Sequence, residues 1–226
     1  MSYETNWLTA QGSPLIAIGS TMVLMLDTHG VLLTLLFGVI IYFAGGMPYL
    51  ASILIFLIIA VSVTKYENIA KKELGVYEHE RGWENVFSNG LIPTALAVLN
   101  PWLGFMPYVC SIAAITADKF GSEIGVIEKN AFDLRTFKTI KSGKSGAVSV
   151  LGTLASLSGS TIVGLSAMLL FNVTPTTALI IGIIGFLGSF VDSIFGIFEE
   201  MGIGTKATTN LACSIAGALL GYWFLK

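Results

Sequence analysis

Apolar and polar positions along this chain separate into long blocks, without the short alternation that strands require. Five stretches, 5–26, 28–64, 85–117, 145–191 and 207–225, contain no Asp, Glu, Lys or Arg, and the longest runs for 47 residues. Together they hold 158 of the 226 residues. A soluble fold cannot hide such runs, whereas a bilayer demands them, at about 20 residues per helical crossing. The blocks therefore supply about eight helices. Turn-forming breaks at Gly45-Gly46, Asn100-Pro101 and Asn172–Pro175 cut them into spans near 8–26, 30–45, 48–64, 84–99, 101–117, 146–171, 176–198 and 207–225. The predicted fold class is all-α: a polytopic transmembrane helix bundle that forms one integral-membrane domain over 1–226.

Composition strengthens this picture. Hydrophobic residues make up 54% of the chain and charged residues 12%, with a mean hydropathy of +0.80; soluble domains carry about twice that charge. A net charge of −2 offers no basic footprint for nucleic acid. Cys110 and Cys213 both fall inside apolar blocks, as core or lipid-facing thiols, with no disulfide framework or zinc spacing. Glu4 and the lack of a basic leader argue against a signal peptide.

The basic residues fix an expected sidedness. With eight spans, 11 of the 12 lysines and arginines fall on one face, and only Lys226 lies opposite. That face should be cytoplasmic, in a cell membrane, with both termini exterior. The two substantial loops, 65–83 and 118–145, lie on it, and so should the functional site.

Polar groups placed where a membrane makes them costly are the candidates for chemistry. Asp27, Asp118 and Asp192 stand at the cytoplasmic ends of spans, each followed closely by Gly. Such hard-oxygen groups suit Mg²⁺, although ending a helix in the headgroup region is the plainer role, above all for Asp27. Asn85, Ser88 and Asn89 share one face of the fourth span, as interhelical glue or as the wall of a polar cavity with Arg81 and Glu84 at its mouth. The stretch Lys141-Ser142-Gly143-Lys144-Ser145-Gly146, followed by Ser149, puts lysines and glycines at a helix mouth, as a phosphate cradle would. It lacks the first glycine of a Walker A loop, since position 138 is Lys. Gly182, Gly185, Gly188, Gly217 and Gly221 are expected to pack helices together.

Taken in order, these pieces resemble an integral-membrane family whose characterised member is plant phytyl-phosphate kinase. The matching elements are Arg81-Gly82-Trp83 with Asn85-Val86 and Asn89-Gly90, then Asp118 with Ser122-Glu123-Ile124-Gly125. They continue as Gly-x-x-Gly-x-Val-Ser-x-x-Gly-Thr from Gly143, then Gly188-Ser189 with Asp192-Ser193, and Asn210. Where the family carries Thr after its first motif aspartate, this chain has Lys119.

The resemblance implies a CTP-dependent kinase that converts phytyl or geranylgeranyl monophosphate to the diphosphate. On that reading Asp118, Glu123 and Asp192 hold Mg²⁺, and Lys141, Gly143, Lys144, Ser145, Gly146 and Ser149 hold the nucleotide. Lys72, Arg81, Asn85, Asn89 and Asn210 would receive the acceptor phosphate, with Asp118, Asp192, Lys144 and Arg81 as the catalytic set. The expected partners are a prenyl monophosphate lipid, a nucleoside triphosphate and membrane lipids, with a homo-oligomer left open. A membrane cytidylyltransferase, an ion-coupled secondary transporter and a non-catalytic scaffold remain as alternatives.

Overall fold

The computed structural model describes residues 26–66 and 82–225. Residues 8–25 of the predicted first span lie outside these, as do Lys72, Arg81 and most of loop 65–83. The described chain forms helices α1 (Thr28–Gly45), α2 (Met47–Lys65), α3 (Trp83–Val98), α4 (Asn100–Leu103) and α5 (Met106–Gly125). After three short strands, β1 (Asn130–Asp133), β2 (Lys138–Lys141) and β3 (Ala147–Val148), come α6 (Val150–Phe171), α7 (Pro175–Glu200) and α8 (Lys206–Phe224).

The breaks occur where local chemistry puts them. Asp27 caps α1, its Oδ1 accepting the Gly30 N–H at 2.6 Å. Gly46, at φ +79°, makes the reversal into α2, a backbone conformation open to glycine at little cost. Asn172 ends α6 in the left-handed conformation, and Thr174 caps α7 just before Pro175. A reciprocal box between Thr205 and Thr208 opens α8.

Helices α1, α2, α6 and α7 are long and apolar enough to cross a membrane. Helix α5 is different. Every residue from Pro107 to Lys119 is buried, against α2, α3, α6, α7 and α8. Close approach depends on missing side chains: a Cβ on Gly185 would meet that of Ala113 at 2.6 Å, and one on Gly217 would meet the Cys110 carbonyl at 2.6 Å. Outward positions are apolar instead, with Leu35, Leu165, Leu169 and Leu179 all exposed. Polar side chains inside and leucines outside suit a hydrocarbon surround.

Two details depart from the expected loops. Helix α5 runs on to Gly125, so Asp118–Gly125 belong to a helix and not to a loop. The extra turns are held because Gly125 packs against Gly152 of α6, where an added Cβ would stand 3.0 Å from the Gly152 Cα. The following segment is not plain coil either: β1 pairs antiparallel with both β2 and β3. The turn between β1 and β2 is fastened by Asp133, whose Oδ2 accepts the Thr136 hydroxyl at 2.8 Å and whose Oδ1 accepts the Arg135 N–H at 2.8 Å. Those bonds, the hydroxyl first, hold the exposed Asp133 carboxyl below the usual carboxylate range.

The ends of the helices sort into two faces. Asp27, Trp83, Glu123, Ser149, Glu200 and Lys206 lie at one end of the bundle. At the other, the Tyr49 hydroxyl bonds Asn100 and the Tyr108 hydroxyl donates to the Tyr49 carbonyl at 2.6 Å.

Candidate functional site

A cleft of about 340 Å³ opens at the face that carries the basic residues. The last turns of α5 and α7 and the first of α6 and α8 wall it, and the segment 142–149 forms its rim. At its base lie Asp118 and Asp192, 7% and 6% exposed. They come from different helices and meet across Lys206, whose Nζ stands 2.8 Å from Asp192 Oδ2 and 3.9 Å from Asp118 Oδ1. Lys206 thus bridges two buried carboxylates, and the buried Lys119, next to Asp118, borders the same cleft.

Among the described residues, three buried oxygens that border the cleft make no hydrogen bond: Asp192 Oδ1, Glu199 Oε2 and Ser142 Oγ. An orphaned carboxylate oxygen on a desolvated aspartate is costly unless something is meant to meet it. Two carboxylates with a free oxygen fit Mg²⁺, which takes one or two protein carboxylates and completes its shell with water and phosphate. The predicted three-carboxylate set of Asp118, Glu123 and Asp192 is not gathered into one cluster. Among the described residues no three His, Cys, Asp or Glu side chains converge as metal ligands. Glu123, five positions after Asp118, also borders the cleft, and Thr64 of α2 donates to its Oε1 at 2.9 Å.

The predicted phosphate cradle is present but partly engaged. Gly143 and Gly146 adopt φ of +105° and +75°, and Lys144 borders the cleft, whereas Lys141 is exposed on β2 away from it. Gly146 rests directly on α7: a Cβ there would stand 2.9 Å from the Ile197 nitrogen. The Ser145 N–H donates to Glu200 Oε1 at 3.1 Å, and the Leu151 N–H, in the first turn of α6, donates to Glu128 Oε2 at 2.8 Å. Two carboxylates therefore occupy N–H groups of the kind that bind an anion. Ser149 spends its hydroxyl as the cap of α6, accepting from Gly152 N–H at 3.0 Å and donating to the Gly125 carbonyl at 3.1 Å.

The acceptor set divides. Asn85 borders the cleft. Asn89 bonds back to Asn85, its Nδ2 donating to the backbone carbonyl at 2.9 Å, and does not border it. Asn210 is 2% exposed between α8 and α3 and donates to Ser88 Oγ at 3.2 Å. It too lies off the cleft wall, in the role of interhelical glue. Asp27 serves as a clasp, its Oδ2 accepting the Trp83 N–H at 3.3 Å while Oδ1 caps α1.

Lys206 is the residue that sequence reasoning passed over. As the lone basic group between α7 and α8 it served only to mark sidedness, yet a lysine opening an apolar helix 14 positions after a buried aspartate was a signal of pairing. Glu128, Glu199 and Glu200 were also missed.

Comparison with known proteins agrees with the membrane architecture. Residues 13–217 match the family described as integral membrane protein DUF92. An uncharacterized membrane protein of Methanocaldococcus jannaschii is 35% identical over 203 residues, 87% of this chain and 84% of that one. Protein PGR of Arabidopsis thaliana is 29% identical over 189 residues, 69% of this chain and 66% of its own. The chloroplastic Protein VTE6 of Arabidopsis thaliana is 26% identical over 223 residues, 93% of this chain and 65% of its own. This chain thus spans about two thirds of the plant relatives it matches. No solved structure matches.

Proposed function

We infer that this chain, which belongs to the DUF92 family of integral membrane proteins, is a Mg²⁺-dependent kinase. It moves a phosphoryl group from CTP to an isoprenoid monophosphate, giving the diphosphate. The observation that carries the reading is the pair Asp118 and Asp192, joined by Lys206 at the base of a polar cleft in an otherwise apolar bundle. The likeness to VTE6, a phytyl-phosphate kinase, supports the choice of substrate class. By the distribution of basic residues the cleft faces the cytoplasm, with both termini on the other side of the cell membrane.

Phosphoryl transfer is chiefly positioning and charge stabilisation, and these residues supply both. Asp118 and Asp192 would hold Mg²⁺, which when bound shields the charge on the phosphates. Lys144 and the 143–146 backbone would steady the nucleotide from the rim, once Glu200 releases the Ser145 N–H. Lys206 would turn from Asp192 to a phosphate oxygen, and Asn85 would hold the acceptor phosphate. An acceptor oxygen bonds to the γ-phosphorus as the bond to the bridging β–γ oxygen breaks, and CDP leaves. A phosphate monoester is mostly dianionic at pH 7, its second pKa being about 6, so no catalytic base is required. The buried charged groups among the described residues gather at one end of the bundle, which favours an enzyme over a carrier with a midplane site.

The test uses purified protein in detergent with Mg²⁺, geranylgeranyl or phytyl monophosphate, and γ-labelled or cytosine-labelled CTP. Label reaching the lipid only from the γ position, and lost in Asp192→Asn, is the expected result. Cytosine label on the lipid would replace the kinase by a cytidylyltransferase, and no lipid product from folded protein would overturn both.

A further inference from the structure

Beside the polar cleft runs a second hollow of opposite character. It is a groove of about 100 Å³ between α1, α2 and α3, with Phe37 and Gly38 on one wall and Ile53 and Leu57 on the other. Its polar members are few, and Asn85 is one of them. Asn85 also borders the cleft, so the two hollows share a wall at that side chain. Among the described residues the groove lies between outward-facing helices, and on α2 it extends from Leu50 to Val61. Eleven helical rises make it about 16 Å long, enough for about three isoprene units in extended form.

We propose that this groove is the seat of the acceptor's isoprenoid tail, with Asn85 at the junction of tail and phosphate. The assignment rests on the kinase reading for the identity of the headgroup, and on continuity for the tail. A ligand that is anionic at one end and branched hydrocarbon at the other needs adjoining polar and apolar surfaces, and these adjoin at Asn85. Gly38 leaves room in the groove wall: an added Cβ would meet only Leu50, at 3.8 Å, an ordinary contact.

Farnesyl monophosphate carrying a diazirine on its tail is the probe. It is photolysed with the full-length protein in nanodiscs and the adducts are mapped by mass spectrometry, with transfer from CTP followed in parallel. Adducts on the facing walls of α1, α2 and α3, competed by unlabelled geranylgeranyl monophosphate, are expected. Gly38→Leu should cut them about tenfold while leaving the melting temperature unchanged, because the leucine's added carbons displace the tail from the groove, and tenfold is the loss of burial for about two methylenes.

Equal labelling by a diazirine fatty acid, without competition, would mean adventitious bilayer lipid only and would overturn the assignment. So would label that enters only after residues 1–25 are deleted, since the chain itself would then fill the groove. Transfer with adducts confined to α6 and α7 removes the groove and keeps the kinase. Competed adducts in the groove without transfer keep the groove and remove the kinase.

Discussion

Lys206 and Asp192 are joined at 2.8 Å across the turn between the last two helices, and this contact, more than any motif, closes the base of the cleft. Lys206 opens α8 and Asp192 lies near the end of α7, so the bond also fixes how those helices meet. Removing the lysine alone should be harmful in two ways. Lys206→Met should lower activity by about a hundredfold and stability by about 2 kcal/mol. The stability loss falls below that of a fully enclosed pair because the Lys206 side chain is 39% exposed. The double variant Lys206→Met, Asp192→Asn should recover most of the stability and none of the activity. Thermal melts in detergent beside the transfer assay separate the two effects.

Asp118→Asn should raise the Mg²⁺ concentration needed for half-maximal rate by about tenfold, as expected for losing one of two charged ligands. Glu123→Gln should leave that concentration within about twofold, because its contact is with Thr64 on α2. A Mg²⁺ titration of both variants decides it, and equal effects would restore Glu123 to the metal set.

Asn85 and Asn210 should behave in opposite ways. Asn85→Ala removes a group on the cleft wall and should raise the KM for the prenyl monophosphate by about tenfold, the worth of one charge-assisted hydrogen bond. Asn210→Ala cuts a buried contact to Ser88 and should lower the melting temperature while KM stays within about twofold. Steady-state kinetics on detergent-purified variants, with melts alongside, provide the comparison.

The all-α membrane class was legible because lack of charge over long runs has few meanings, and the turn residues at Gly46, Pro101 and Asn172 mark the breaks. The carboxylates at 118 and 192 were legible for the same reason: each is an exception in an apolar run. What sequence could not give was convergence. Nothing in the distance of 118 from 192 and 206 says that a third helix joins that pair, and nothing near Asn210 says that it faces Ser88 instead of a phosphate. The strand pairing escaped notice because β1 and β2 are four residues each and too polar to show an apolar alternation.

Gly146 and Gly202 both have positive φ, yet they should respond differently to alanine. At Gly202 an added Cβ meets nothing, so Gly202→Ala carries only the backbone strain, about 1 kcal/mol. At Gly146 the same strain is joined by contact with the backbone of α7, so Gly146→Ala should cost about 3 kcal/mol or lift segment 142–146 off the helix. Hydrogen exchange at Ser145, whose N–H is bonded to Glu200, reports which of these happens.

The central helix α5 is the most enclosed of the bundle and is not among the four that are long and apolar enough to span alone. A segment bearing Asp118, Lys119 and Glu123 has little tendency to leave an aqueous translocation channel for lipid unaided. It gains a place beside the residues that receive those charges, and a partner of Asp118 lies on α8, which is synthesised later. Membrane integration of this protein is therefore not a sequence of independent insertions. Helix α5 is then expected to stay at the point of entry until α8 arrives, so that the contact that builds the cleft also seats the central helix.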